Sequence, residues 1–215
     1  MKAVLFDLDG TLLDTLDDLA GAVNAALTAY GYPTRSRAEV RRFVGNGVRR
    51  LMELAVPDGI SRTDFEGCFE YMRSYYAVHS AEKTAPYAGI LELLAELKKL
   101  EVPMALVSNK PDGPVADLAE QYFPGIFEVT VGDSPVRARK PAPDMPMYAL
   151  EKLGVEQENA IYIGDSEVDI RTARNAGLPV VSVSWGFRDR EELEKLAPEY
   201  LVDTPKELLC LLKQI

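Results

Sequence analysis

Short apolar runs without polar alternation recur along the chain, each closed by turn residues. Residues 3–6, 104–107 and 161–163 have this character, and 129–131 and 180–183 approach it with one hydroxyl residue each. Such runs suit parallel strands buried on both faces. Helical periodicity fills the stretches between them. Residues 90–97 carry a broad apolar face, and Lys98 and Lys99 follow where cations suit the helix dipole. Residues 144–153 predict another helix, with Asp144 as its N-cap after Pro143 and Gly154 closing it. Strands alternating with helices predict an α/β fold, a doubly wound parallel sheet with a Rossmann-like core.

The rhythm fails between residues 16 and 85. That stretch offers no strand, and residues 16–30, 48–55 and 64–80 read as helices. The pattern predicts an inserted α-helical cap domain at 16–85, an α/β catalytic core at 1–15 and 86–215, and a return hinge at residues 86–89. There is no internal repeat and no low-complexity segment.

Composition narrows the partners more than the fold. Of the 215 residues, 47% are hydrophobic and 27% charged, an ordinary globular balance. The net charge of −10 repels a phosphate backbone, so no nucleic-acid partner is expected. A small anionic substrate remains compatible with it where cations gather locally. The N-terminal stretch lacks the apolar run of a secretion signal. No segment approaches eighteen uninterrupted apolar residues, so no membrane association is expected. Cys68 and Cys210 lie far apart and read as free, buried thiols of a cytoplasmic protein. The oligomeric state is not legible.

Candidate chemistry sits where the apolar runs end. Asp7-Leu8-Asp9-Gly10-Thr11 closes the first run. In an open α/β sheet, ligands bind beyond the carboxyl ends of the strands. Carboxylates two residues apart can face one way and share a divalent cation, Gly10 permits the sharp turn, and Thr11 offers a hydroxyl to a phosphate oxygen. Ser108, Asn109 and Lys110 follow the second run, where a hydroxyl and backbone amides can hold phosphate oxygens. Lys140 lies in Arg139-Lys140-Pro141-Ala142-Pro143, a stiffened segment ahead of a helix start, and can neutralise a phosphoryl group. Asp165 ends the fourth run, placed for metal coordination, with Asp169 one helical turn on as its supporting carboxylate or as a partner of Lys140. Each feature alone has a plain structural reading as a turn, cap or surface residue. Their order on successive strand ends is what gives them weight.

These four motifs, in this order and with the helical insert between the first and second, resemble the haloacid dehalogenase superfamily along the whole chain. Asp7-Leu8-Asp9-Gly10-Thr11-Leu12-Leu13-Asp14, Ser108-Asn109-Lys110-Pro111, Gly164-Asp165-Ser166 and Trp185-Gly186-Phe187-Arg188 are similar to its phosphoglycolate phosphatase branch. The resemblance implies a magnesium-dependent phosphomonoesterase acting on a small phosphorylated metabolite, with 2-phosphoglycolate the substrate it suggests first. It implies Asp7 as nucleophile and Asp9 as general acid/base. It implies Mg2+ held by Asp7, the Asp9 carbonyl and Asp165, and a phosphoryl group held by Thr11, Ser108, Asn109 and Lys140. The cap segment Gly45, Asn46, Gly47 with Arg49 looks like a substrate-specificity loop, where helix-start amides and a guanidinium suit a carboxylate.

Other routes to phosphate chemistry are weaker. His79 is the single histidine and no Arg-His-Gly occurs. Cys68 precedes Arg73 by four intervening residues, where cysteine-dependent phosphatases use five. No Gly-x-Ser-x-Gly elbow is present. A phosphosugar mutase of the same superfamily and an inorganic pyrophosphatase stay open as alternatives. So does a binding protein on an inactive enzyme fold, against which the full set of strand-end residues argues.

Overall fold

The structure is a computed structural model and describes residues 2–215. Its main sheet has six strands: β1 (Ala3–Phe6), β4 (Met104–Pro111), β5 (Val129–Asp133), β6 (Ala160–Gly164), β7 (Val180–Val183) and β8 (Tyr200–Val202). They lie in the order β5-β4-β1-β6-β7-β8 and every neighbouring pair is parallel. Two short strands, β2 (Leu13–Asp14) and β3 (Ala85–Pro86), pair separately.

Alternation along β1 explains the two-sided core. Val4 and Phe6 point to one face, where they pack with Leu93 and Leu97 of α5 (Ile90–Lys99), Val115 and Leu118 of α6 (Asp112–Tyr122), and Leu208 and Leu212 of α10 (Pro205–Leu212). Ala3 and Leu5 point to the other. There they meet Met145 and Leu150 of α7 (Asp144–Leu153), Ile170 and Ala173 of α8 (Glu167–Asn175), and Leu193 of α9 (Arg190–Glu194). Both faces are covered, so all four residues of β1 are buried.

The strand order places the ligand-binding edge. From β1 the chain runs outward to β4 and β5, then returns to β6 on the other side of β1 and continues to β7 and β8. The topological switch therefore falls between β1 and β6, and the crevice beyond their carboxyl ends is where an open α/β sheet takes ligands.

The chain separates into two compact units. One runs to Leu13 and resumes at Pro86, and the other is Asp14–Ala85. The second unit contains α1 (Leu16–Ala29), α2 (Arg37–Phe43), α3 (Gly47–Ala55) and α4 (Arg62–His79). On α1, Leu16, Leu19, Ala20, Val23, Ala26 and Leu27 form a continuous buried stripe at helical spacing. Among the described residues no helix is long and apolar enough to cross a membrane.

Several elements differ from the sequence reading. Strand β8 and helix α2 add to the expected elements, and of the two free cysteines Cys68 is buried as expected whereas Cys210, near the end of the amphipathic α10, is exposed. Strand β4 continues through Lys110 to Pro111, so Ser108–Lys110 lie within it rather than after it. Asp144 is the first helical residue of α7 and Pro143, whose backbone is already helical at φ −78° and ψ −6°, occupies the N-cap; Gly154 does close it, at φ +66°.

Candidate active site

The carboxyl ends of β1, β4 and β6 bring the strand-end side chains together. Asp7 follows β1 directly, and its N–H donates to the Ile163 carbonyl of β6 at 2.9 Å. The chain then turns on Gly10, which has φ +92° and whose missing side chain leaves room for the Asp165 carboxylate. The turn places the Thr11 hydroxyl 3.4 Å from both Asp7 Oδ2 and Asp165 Oδ1. With one proton it can serve only one of them at a time.

Lys140 is the hub of this group and is almost fully buried. Its Nζ lies 2.7 Å from Asp7 Oδ1, 2.8 Å from Asp169 Oδ1 and 3.2 Å from the Tyr162 hydroxyl. Desolvation alone would drive an ammonium to neutrality, but the two adjacent carboxylates outweigh it and hold Lys140 well above its usual range. Asn109 donates to the Lys140 carbonyl at 3.1 Å and so ties β4 to the lysine segment. Asp169, on the first turn of α8, also receives the Ser166 hydroxyl at 2.6 Å and the Ser166 N–H at 3.2 Å. Asp165 Oδ2 accepts the Phe187 N–H at 2.6 Å. Nearby, Trp185 Nε1 donates to the Thr11 carbonyl at 2.9 Å and Arg188 pairs with Glu167 at 2.7 Å.

The electrostatics are crowded. Asp7, Asp165 and Asp169 each offer an oxygen within 4.8 Å of the others, a group able to hold a metal ion. Burial pushes the Asp7 carboxyl up to about 7, against the lowering influence of Lys140. Burial and the neighbouring Asp169 and Asp7 drive Asp165 well above the ordinary carboxylate range. An oxygen-only donor set in which negative charge exceeds its compensation fits a hard divalent cation, whose binding would relieve the repulsion. The two oxygens best placed for it are Asp7 Oδ2 and Asp165 Oδ1, which share only the Thr11 hydroxyl, whereas both oxygens of Asp169 are engaged by Lys140 and Ser166.

A model of the haloacid dehalogenase-like hydrolases matches residues 4–183. The chain belongs to this family. Within it, "Phosphoglycolate phosphatase 1" of Pseudomonas aeruginosa is 33% identical over 215 residues, covering 97% of this chain and 78% of the relative. A Vibrio parahaemolyticus phosphoglycolate phosphatase is 34% identical over 218 residues, covering 97% and 95%. Among solved structures, a Lactobacillus delbrueckii subsp. bulgaricus protein provisionally described as a phosphoglycolate phosphatase superposes with a TM-score of 0.91 at 37% identity, over 97% of this chain and 98% of its own. The haloacid dehalogenase-like fold and phosphatase class of this chain follow from family, relatives and sheet together.

The sequence-derived residues fall into two groups. Asp7, Thr11, Lys140, Asp165 and Asp169 are joined by the contacts above, and Ser108 and Asn109 are buried on β4 beside them. The Asp9 carboxylate stands apart from the metal-competent trio and pairs with Lys110 Nζ at 3.2 Å. In the helical unit, Gly45 and Gly47 take φ +132° and +82°, and Asn46 is the N-cap of α3 without a side-chain cap bond. Arg49 there forms a paired contact with Glu66 and lies 5.0 Å above the rings of Phe65 and Phe69. The sequence assigns no role to Tyr162, and it marks Lys110 only as part of the Ser108-Asn109-Lys110 segment, without its pairing to Asp9. Tyr162 is concealed in an apolar strand run, and only its position on the Lys140 face of the sheet reveals its hydroxyl.

Proposed function

We propose that this chain is a magnesium-dependent phosphomonoesterase working through an aspartyl-phosphate on Asp7, with 2-phosphoglycolate as substrate. The observation that carries the reading is the buried Asp7 carboxylate at the switch point, with one oxygen on Lys140 and the other turned toward Asp165. A carboxylate anchored by a buried lysine on one side and facing a second carboxylate on the other is held in one orientation, which suits in-line attack.

In the proposed reaction an Asp7 oxygen bonds to phosphorus as the bond to the leaving oxygen breaks, and Asp9 gives that oxygen its proton. Asp9 then takes a proton from the water that attacks the acyl phosphate, which returns Asp7 as carboxylate and releases inorganic phosphate. Thr11, Ser108, Asn109 and Lys140 hold the phosphoryl oxygens, and Lys140 offsets their charge without itself transferring a proton. Asp7 Oδ2, the Asp9 carbonyl and Asp165 Oδ1 would hold Mg2+, with Asp169 orienting Lys140. The ion would supply charge neutralisation between the carboxylates and the dianionic phosphoryl group. The names of the relatives support phosphoglycolate.

The reading is tested by stopping turnover in the presence of substrate and magnesium and reducing the acyl phosphate with tritiated borohydride, which expels phosphate and converts the phosphorylated aspartate to tritium-labelled homoserine. Label at Asp7 alone, abolished by EDTA and restored by magnesium, is the expected result. Label elsewhere, or turnover undiminished by EDTA, would remove the mechanism. Phosphate release from a panel including glycolate 2-phosphate, sugar phosphates and pyrophosphate separates the substrate assignment from it.

A further inference from the structure

We infer that Lys110 is the positioning residue for Asp9, holding the general acid in register with the leaving oxygen. The inference rests on the role proposed above for Asp9. The side chain of Lys110 is 4% exposed, that of Asp9 17%, and Nζ stands 3.2 Å from Oδ1. A lysine that deep in the α/β unit requires a specific anionic partner, since an ammonium is rarely buried unless paired. Lys140 cannot stand in for it, because it is engaged with Asp7, Asp169 and Tyr162.

The two partners sit on very different supports. Asp9 lies on the turn that leaves β1. Lys110 lies within β4, the parallel neighbour that sets Leu106 opposite Phe6, so both residues emerge just beyond the same register. The β4 end is tightly held. The Lys110 N–H donates to Ser108 Oγ at 3.2 Å, and Asp112 accepts the Gly132 N–H at 2.6 Å and Arg137 at 2.6 Å. Gly132 lies so close to the Lys110 carbonyl that a Cβ there would collide with it. A rigid strand thus carries the cation, and the turn carries the carboxyl group it orients. Contact through Oδ1 restrains the carboxyl group at one oxygen, including in the protonated form, whose carbonyl oxygen still accepts from the ammonium. Rotation that would swing the acid proton away from the leaving oxygen is thereby restricted.

Leaving-group dependence of kcat/KM tests this, because that constant reports steps only up to loss of the leaving group. The full chain with magnesium is assayed on glycolate 2-phosphate, on an alkyl phosphate that lacks a carboxylate and on p-nitrophenyl phosphate, whose acidic phenol leaves without a proton. Lys110→Met is expected to lose roughly ten- to a hundredfold on both alkyl esters and little on the aryl ester. Lys110→Arg should recover part of that loss, and Lys110→Met added to Asp9→Asn should cost nothing further. Equal loss on all three esters, loss confined to the carboxylated ester, or no loss on either alkyl ester would each overturn the assignment. The first would make Lys110 a phosphoryl ligand and the second a substrate-carboxylate ligand. Should Lys110→Met not fold, Lys110→Gln against Lys110→Arg gives the same comparison. If Asp9→Asn itself spares the alkyl esters, the failure lies with the Asp9 role and not with Lys110.

Discussion

The chain buries carboxylates in two places and treats them in opposite ways. In the helical unit, Asp18 on α1 is 5% exposed and surrounded by donors. It accepts the Lys83 N–H at 3.0–3.1 Å, the Thr84 N–H at 2.9 Å and the Thr84 hydroxyl at 2.8 Å. These donors, 65 and 66 residues further along the chain, fasten α1 to the segment before β3. In the α/β unit, Asp7, Asp165 and Asp169 crowd within 4.8 Å of one another, with one lysine shared between Asp7 and Asp169. Burial raises the proton affinity of Asp7 and Asp165 there. A carboxylate whose donors are all backbone and hydroxyl is an anchor. Carboxylates that oppose one another are costly to the fold, and that cost is expected where cation binding and phosphoryl chemistry exploit it.

The comparison is broken most sharply at Asp7. Asp7→Asn should lower turnover by about a thousandfold or more, as the amide is a poor nucleophile. Its effect on folding should have the opposite sign. The native carboxyl titrates at about 7 against an ordinary 3.8, so in the metal-free protein the folded state binds the extra proton between those values. Stability from this group is present below 3.8 and is lost as pH rises toward 7. Chemical denaturation of the metal-free proteins across that window should show the Asn variant gaining on wild type as pH rises. A constant difference would mean that Asp7 is not held in its protonated form.

Lys140 comes next. Removing a buried charge leaves its partners uncompensated, which typically costs about 3–5 kcal/mol. Lys140→Met should therefore destabilise the metal-free protein by that order, with added magnesium recovering part of the loss by binding the exposed carboxylates. Denaturant midpoints with and without the ion measure both. A loss no larger than that of a surface lysine would contradict the geometry of the hub.

Why the sequence revealed Asp7 and Lys140 but not their whole surroundings is a matter of what periodicity records. Strands β1, β4, β6 and β7 are buried on both faces and open on dominantly apolar runs, so their ends, and the residues just beyond, could be marked. Strand β8 is at the sheet edge with Tyr200 exposed, and its pattern blends into a polar segment. Helix α2 buries only Val40, so its capping box of Ser36 and Glu39 was the sole available cue. Contacts between distant segments leave no local trace. Tyr162 to Lys140, Lys110 to Asp9 and Trp185 to Thr11 depend on the register and order of the strands. For Arg49 the sequence offered only a charge near a glycine turn, and its pairing with Glu66 on the next helix lay outside any local pattern.

At Asp18 the expectation reverses that for Asp7. Asp18→Ala should cost roughly 1.5–3 kcal/mol, the worth of hydrogen bonds to a charged group plus the amides left behind. Turnover measured well below the melting temperature should stay near wild type, because the partners of Asp18 are Lys83 and Thr84 of its own unit and the proposed reaction gives it no role. A thousandfold loss of turnover in this variant, with stability intact, would erase the distinction between anchor and site.

The smallest effect is expected at Arg49, the cationic counterpart of the same contrast. Lys140 is buried between the carboxylates of Asp7 and Asp169, whereas the Arg49 side chain is 43% exposed and engaged by Glu66 and two phenyl rings of α4. Exposed pairs of this kind add little to stability, since water and salt screen them and two long side chains must be ordered. Arg49→Ala should therefore shift the melting temperature slightly, and that shift should shrink at high salt. On turnover, a guanidinium already satisfied within its own unit has a weak claim on a substrate carboxylate. Glycolate 2-phosphate and p-nitrophenyl phosphate should then change little and equally. Recognition of the substrate carboxylate by Arg49 requires the opposite result, a selective loss on glycolate 2-phosphate, and would mean that Glu66 releases the guanidinium when substrate binds. Glu66→Gln decides between the two: if Glu66 competes with the substrate, weakening it should lower KM for glycolate 2-phosphate alone, and if Arg49 is scaffold, KM for neither ester should move.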